Sequence, residues 1–143
     1  MGRILLKNAK IVNDNKIFPA DILLEDDVIL KIEDQISSDS AAKVMDLEGK
    51  YVIPGAIDDQ VHFREPGLTH KGTIATESRA AVAGGITSFM EQPNTNPQTT
   101  TIEALEDKFE MARNSAFANY SFLFGGTNDN LEEIKKLDKN ACS

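Results

Sequence analysis

Apolar positions come in short runs over the first fifty residues and in helical stripes alternating with short runs after that. Ile4 to Val12 is apolar-rich and stops at Asn13-Asp14-Asn15, whose composition predicts a turn. Ile17 to Leu24 reads as the returning strand, and Pro19 inside it lacks a ladder donor, which implies an edge position or a bulge. Glu25-Asp26-Asp27 reads as a solvated hairpin tip, with an acidic metal cluster as the alternative. Val28, Leu30 and Ile32 alternate with Ile29 and Lys31 in a third strand. A polar loop, Ser37 to Ser40, leads to a strand at Lys43 to Leu47, and Gly49-Lys50 turns into Tyr51-Val52-Ile53. Nothing here suggests catalysis. The pattern predicts a small β-sheet module that must pack against something else.

Beyond Pro54-Gly55 the pattern changes to strand and helix in turn. Ala56 to Phe63 is predicted as a strand. Thr73 to Val82 follows as a helix, closed by Gly84-Gly85, residues that tolerate a left-handed C-terminal turn. Ile86 to Met90 is a second strand. Thr100 and Glu103 have the spacing of a capping box before a helix whose stripe is Ile102, Leu105, Phe109 and Ala112. Phe117 to Phe124 is a third strand, and Asn130 caps a third helix with the stripe Leu131, Ile134, Leu137. Repeated strand–helix units predict an α/β fold with a parallel sheet. A closed (β/α)8 TIM barrel needs eight strands and roughly 250 residues. The expected organisation is therefore a β-sandwich segment over 1–54 and the first three βα units of an incomplete TIM barrel over 55–143. An open doubly wound sheet is the alternative, and the chemistry of the first parallel strand favours the barrel.

That chemistry lies between Ile57 and Arg64. With a period of two, Asp58, Gln60, His62 and Arg64 share one face, while Ile57, Val61 and Phe63 share the other and Asp59 is the exception. A central parallel strand is usually apolar on both faces, so four polar groups at a C-terminal end mark the rim where barrels build active sites. The bland alternative is an edge strand with one solvated face. A lone His62 would read as a hydrogen-bonded core histidine, but Arg64 two residues on demands an anionic partner, from the protein or from a ligand. The second strand ends in Glu91-Gln92-Pro93-Asn94-Thr95-Asn96-Pro97, a loop on the same rim in which Asn94 offers a donor and an acceptor.

Composition narrows the function classes. The chain has 143 residues, 41% of them apolar and 27% charged, which is globular. Fifteen basic and 23 acidic residues leave a net charge of −8, which argues against binding nucleic acid or an anionic membrane. The one cysteine, Cys142, cannot form an internal disulfide framework, and Ile4-Leu5-Leu6 is far too short for a signal peptide or a membrane span. A cytoplasmic protein is the expectation.

The motifs resemble the amidohydrolase superfamily and, within it, the dihydroorotases. The family's first barrel strand reads Asp-x-His-x-His-x-Arg-Glu-Pro-Gly, and this chain has Asp58-Asp59-Gln60-Val61-His62-Phe63-Arg64-Glu65-Pro66-Gly67. The family's Met-Pro-Asn-Thr-x-Pro is matched by Gln92-Pro93-Asn94-Thr95-Asn96-Pro97, and residues 80–87 resemble its Ala-rich helix and Gly-Gly-x-Thr link. Upstream, residues 49–55 are similar to the end of its N-terminal β-sandwich segment. The resemblance implies metal-dependent, reversible hydrolysis of the cyclic amide of dihydroorotate to N-carbamoyl-L-aspartate, a step of de novo pyrimidine biosynthesis. It implies zinc, one or two ions, with His62 as a ligand and a metal-bound hydroxide as nucleophile. It also implies that Arg64 and Asn94 bind the substrate carboxylate, for which a planar guanidinium is suited.

Gln60 departs from the family, standing where the first histidine belongs, and an amide oxygen is a poor zinc ligand beside imidazole. One consequence would be a single-metal site with Gln60 as a weak ligand. Another would be a non-catalytic, dihydroorotase-like scaffold bound to aspartate transcarbamoylase. A hydantoinase or allantoinase is the third reading, although allantoinases lack the arginine matched by Arg64. No catalytic residue is expected within 1–143, since the family's bridging carboxylate or carboxylated lysine, two further histidines and catalytic aspartate come from later strands. The chain is thus expected to be the N-terminal part of a longer protein, poorly soluble and inactive alone, with a homodimer expected for the complete protein. His70 reads as an ordinary loop residue, and Asp58 and Glu65 as structural groups.

Overall fold

Asp14 and Asn15 both take left-handed backbone angles, φ 50° and 57°. That is the turn geometry whose twist matches a tight hairpin, and it joins β1 (Arg3–Asn13) to β2 (Lys16–Glu25). The computed structural model describes residues 2–138, and Cys142 lies outside them. The chain divides between Pro54 and Gly55 into two units, a mixed α/β arrangement.

The first unit is one five-stranded sheet. β3 (Val28–Glu33) lies outside β2, β4 (Lys43–Asp46) lies on the other side of β1, and β5 (Tyr51–Val52) pairs with β1 further along. β1 pairs antiparallel with β2 and parallel with β4 and β5. β3 covers β2 only from Asp21 to Glu25, so Pro19 sits where β2 has no second neighbour and its missing N–H costs nothing. The pairing of β1 shifts between Leu6 and Ala9, with Asn8 at φ 56°. This bulge reverses the parity of the strand. Leu6 therefore packs with Ala9, Ile11, Ala20 and Ile22, while Leu5 packs on the opposite face with Leu23 and Ile36. The Asp21 carboxylate, 3% exposed, plugs the bulge: it accepts the N–H groups of Asn8 at 2.9 Å and Ile36 at 3.0 Å. Ile17, Val28, Ile29, Ile32, Tyr51 and Ile53 are exposed, so the apolar surface that needs a partner is present on this unit.

The second unit holds a parallel sheet in the order β6 (Ala56–Val61), β7 (Ile86–Glu91), β8 (Asn119–Phe122). α1 (Ile74–Ala83) links the first two strands and α2 (Ile102–Ser115) the next two, and α3 (Leu131–Lys136) follows. Val61, Phe63, Ile74, Phe89, Leu105 and Phe122 form its core, with the Phe63 and Phe89 rings 4.6 Å apart. Gly85 takes φ +93° after α1, the left-handed exit expected of the Gly-Gly pair. At Gly55 a Cβ would lie 2.1 Å from Thr87 Oγ1, so only glycine lets β6 start there.

Three local expectations need correction. The cap of α2 is Thr101, whose hydroxyl accepts the Ala104 N–H at 3.2 Å, and not Thr100. Glu103 is then one residue short of the capping-box position, and the Ile102 N–H is taken instead by the Glu133 carboxylate at 3.2 Å. Asn130 does not cap α3 with its side chain: its Oδ1 accepts from Thr127, and its Nδ2 donates to the carbonyls of Thr100 and Gly125. β6 ends at Val61, so Phe63 lies in the loop, and its pairing with β7 shifts between Asp58 and Val61. The alternation is interrupted by a bulge at Asp59 and Gln60. Val61 and Phe63 are buried as expected, whereas Ile57 is exposed.

Two substitutions test this account. Asp21→Ala strands two buried N–H groups and is expected to destabilise the complete protein by about 3 kcal/mol in urea unfolding, with Asp21→Asn intermediate. Gly67 has φ +81°, and a Cβ on it would lie 2.0 Å from the Asn96 carbonyl oxygen. Gly67→Ala is therefore expected to lower the denaturation midpoint by an amount worth about 2–4 kcal/mol, since the obstacle is backbone and cannot swing aside.

Candidate active site

Parallel pairing brings the C-terminal ends of β6 and β7 to one rim, where the Gln92 N–H donates to the Val61 carbonyl at 3.0 Å. The loops leaving these ends dock on each other. The Asn96 N–H donates to the Pro66 carbonyl at 3.1 Å, and Gly67 lies against the Asn96 backbone. Thr95 is buried and its hydroxyl donates to the Pro97 carbonyl at 2.9 Å. Glu65 reaches the next element: its Oε2 accepts the N–H of Ile74, the first residue of α1, at 2.7 Å. A carboxylate there satisfies an orphan helix donor and complements the helix dipole.

This docking places His62 beside Asn94. His62 Nδ1 lies 3.0 Å from Asn94 Oδ1. With the amide oxygen as acceptor, the proton sits on Nδ1 and the Nε2 lone pair is left for a ligand. Both side chains are exposed on the chain. Asn94 also lines a small concavity of ≈ 120 Å³ with Pro93, Gln98, Thr100, Gly125 and Gly126. Gln60 is exposed in the bulge of β6, where its N–H donates to the Asp58 carboxylate at 3.2 Å. Its side chain bonds to neither His62 nor Asn94. His70 is an exposed turn residue.

Arg64 is half-buried, and its backbone has φ +73°. For a residue with a Cβ this region costs roughly 1–2 kcal/mol, so something must hold it. The Arg64 N–H donates to Glu91 Oε1 at 3.0 Å, and its carbonyl accepts from the Leu68 N–H at 3.0 Å. Glu91 is fully buried at the end of β7, and its Oε2 lies 3.1 Å from Nζ of Lys108. Lys108, also fully buried, donates to the Gln92 carbonyl at 3.3 Å and lies 5.0 Å from the centre of the Phe122 ring. Burial pushes the Glu91 carboxyl above its usual range, opposed by the Lys108 charge and by the Arg64 and Phe63 N–H groups. Burial likewise pushes the Lys108 ammonium down, opposed by Glu91. Each charge is tolerable in this core because the other is there.

Glu91 and Lys108 escaped the reading of the sequence, although a signal for them exists. Lys108 stands three residues after Leu105 and four before Ala112, on the buried stripe of α2. A lysine on that stripe needs a buried anion, and Glu91, closing an apolar strand, is the nearby candidate. The structure thus brings His62 to Asn94 and the Arg64 backbone to Glu91, and leaves Gln60 apart. Among the described residues no three His, Cys, Asp or Glu side chains are grouped to hold a metal ion. No described helix is long and apolar enough to cross a membrane.

Comparison with known proteins gives this arrangement a context. Residues 49–140 match the family described as dihydro-orotase-like. A dihydroorotase of Methanosarcina mazei is 40% identical over 137 residues, covering 96% of this chain and 30% of that protein. An L-hydantoinase of Paenarthrobacter aurescens is 34% identical over 138 residues, again 96% of this chain and 30% of the relative. The solved L-hydantoinase (dihydropyrimidinase) from Arthrobacter aurescens superposes with a TM-score of 0.89 at 34% identity, over 95% of this chain and 30% of that one. The chain spans about 30% of the length of the relatives it matches. With its family signature running through the rim loops that carry His62, Arg64 and Asn94, the chain belongs to the dihydro-orotase-like family.

Proposed function

We propose that the complete protein of which this sequence is part is a dihydroorotase, a cyclic amidohydrolase that opens the ring amide of dihydroorotate to N-carbamoyl-L-aspartate and closes it again. The observation that carries this reading is the meeting of His62 and Asn94 at 3.0 Å on the rim of a parallel sheet, with Arg64 two residues along the same loop. Arg64 and Asn94 are assigned to the substrate carboxylate. A guanidinium offers two parallel N–H donors to a carboxylate, and an amide adds a third.

The same reading completes the fold. The strands run β6-β7-β8 without reversal, and α1 and α2 pack against each other. Sequential parallel strands with their helices in one layer fit the start of a closed (β/α)8 barrel, the fold this reading assigns to the complete protein, and three such strands would fit one half of a doubly wound sheet as well. The sheet of residues 2–54 is assigned as part of a β-sandwich whose second layer would cover its exposed apolar face.

A metal fits this chain poorly when its residues are taken alone. Zinc takes four donors, mostly imidazole, thiolate or carboxylate, and the rim supplies the Nε2 of His62 and a neutral amide at Gln60. Zinc, one or two ions, is therefore assigned to the complete protein only, with His62 as the contribution of this segment and Gln60 at most a weak one. What the residues of this chain do is bind and orient: Asn94 fixes the tautomer of His62, and Arg64 gathers the acid group.

A second reading, a hydantoinase, is favoured by the TM-score of 0.89 to a solved L-hydantoinase. Substrate charge separates the two. In the complete protein, Arg64→Met is expected to raise KM for dihydroorotate by on the order of 10- to 100-fold, the worth of a charge-assisted hydrogen bond. Turnover of an uncharged hydantoin ring should be unchanged. Hydantoin turnover without dihydroorotate turnover in the parent protein would establish the second reading. Absence of both, with no metal retained and stable association with aspartate transcarbamoylase, would establish the non-catalytic scaffold. Substituting His62→Ala is expected to reduce the metal content of the purified complete protein, measured by elemental analysis.

A further inference from the structure

The buried pair under the rim has a geometry that a plain core contact would not need. Each half of the Glu91 carboxylate has a separate task. Oε1 accepts the N–H of Arg64, and Oε2 faces Nζ of Lys108 at 3.1 Å. The backbone of Glu91 is tied at the same time, because its carbonyl accepts the Leu123 N–H at 2.9 Å. Lys108 is held from three sides by Glu91, the Gln92 carbonyl and the face of Phe122. A carboxylate fixed in this way is a rigid acceptor at one defined point. The group it grips is the N–H of a residue at φ +73°, a conformation the chain does not choose for itself. Turning that backbone to an ordinary negative φ would swing the Cα–Cβ bond and with it the direction in which the guanidinium leaves the loop.

We propose that Glu91, anchored by Lys108 on α2, is a positioning residue that holds the Arg64 backbone left-handed and so aims its guanidinium at the carboxylate of the substrate. This rests on the dihydroorotase reading for the identity of that substrate. Glu91 touches no substrate itself and acts only through Arg64.

The test uses the complete protein with Glu91→Leu/Lys108→Met, an apolar replacement of similar volume that leaves no unpaired charge in the core. KM for dihydroorotate is expected to rise on the order of tenfold, with kcat much less affected and an uncharged ring substrate unaffected. In an Arg64→Met background the same two changes should have no further effect on KM, because the residue they act through is gone. A purely structural pair would lower stability and turnover alike and would add its effect in both backgrounds. A crystal structure of the variant should show Arg64 outside the left-handed region. An unchanged φ at Arg64, or a KM for dihydroorotate within about twofold of the parent, overturns the proposal. Should that double variant not fold, a second uncharged pair, Glu91→Met/Lys108→Leu, carries the same expectation for KM and for the Arg64 backbone. A parent protein that does not turn over dihydroorotate refutes the dihydroorotase reading instead, and the Arg64 backbone angle then decides the positioning role by itself.

Discussion

The second unit depends on one buried carboxylate. Glu91 sits where β7 ends; its carboxylate ties that end to the loop after β6 through Arg64 and to α2 through Lys108, and its backbone carbonyl accepts the N–H of Leu123, just beyond β8. Removing one charge of such a pair is severe, because the other is then buried without compensation. Replacing both by apolar groups is often harmless or better for stability. The pair is therefore poorly explained as a source of folding energy. It is better explained by what an apolar pair could not supply, an acceptor at a fixed point for an N–H that no regular element satisfies.

A second constraint is parity. In both units the residues that face the core are set by bulges as much as by alternation. In β1 the shift between Leu6 and Ala9 puts Leu6, Ala9 and Ile11 on one face. In β6 the extra residue between Asp58 and Val61 separates Gln60 from the alternation that would align it with His62. The position where this chain departs from the family pattern is thus also a position where the strand is irregular. Each bulge leaves backbone groups without a ladder partner, and a carboxylate takes one of them: Asp21 at the first, Asp58 at the second.

These devices explain what was legible in the sequence. The strands and helices were legible because turn chemistry and apolar period act locally: Asn13-Asp14-Asn15, Gly84-Gly85 and the stripe of α2 each state their element without help from distant residues. The burial of Val61 and Phe63 followed from the same period. The bulges were not legible, since they arise from register with a partner strand. The cap of α2 was displaced by one residue because Thr100 and Thr101 are equally good caps in isolation, and Glu133, 31 residues beyond Ile102, supplies the partner of the Ile102 N–H. The contact of His62 with Asn94 was foreshadowed by their place on one rim. The Glu91–Lys108 pair was readable in principle from a lysine on a buried stripe, but its purpose is visible only once the backbone angle of Arg64 is known.

Fold likeness and residue chemistry bear differently on function here. The chain superposes on a hydantoinase and is also 40% identical to a dihydroorotase, so the shared scaffold cannot choose between an uncharged ring and a carboxylated one. The choice must lie in groups that sense the carboxylate. On this segment the group proposed for that task is Arg64, whose backbone, at φ +73°, donates to a buried carboxylate that is itself paired with a buried lysine. A guanidinium that merely decorated a loop would need no such support. Two residues on two elements committed to one side chain make sense when the direction of that side chain matters, and an acid group on the substrate is the feature that would make it matter.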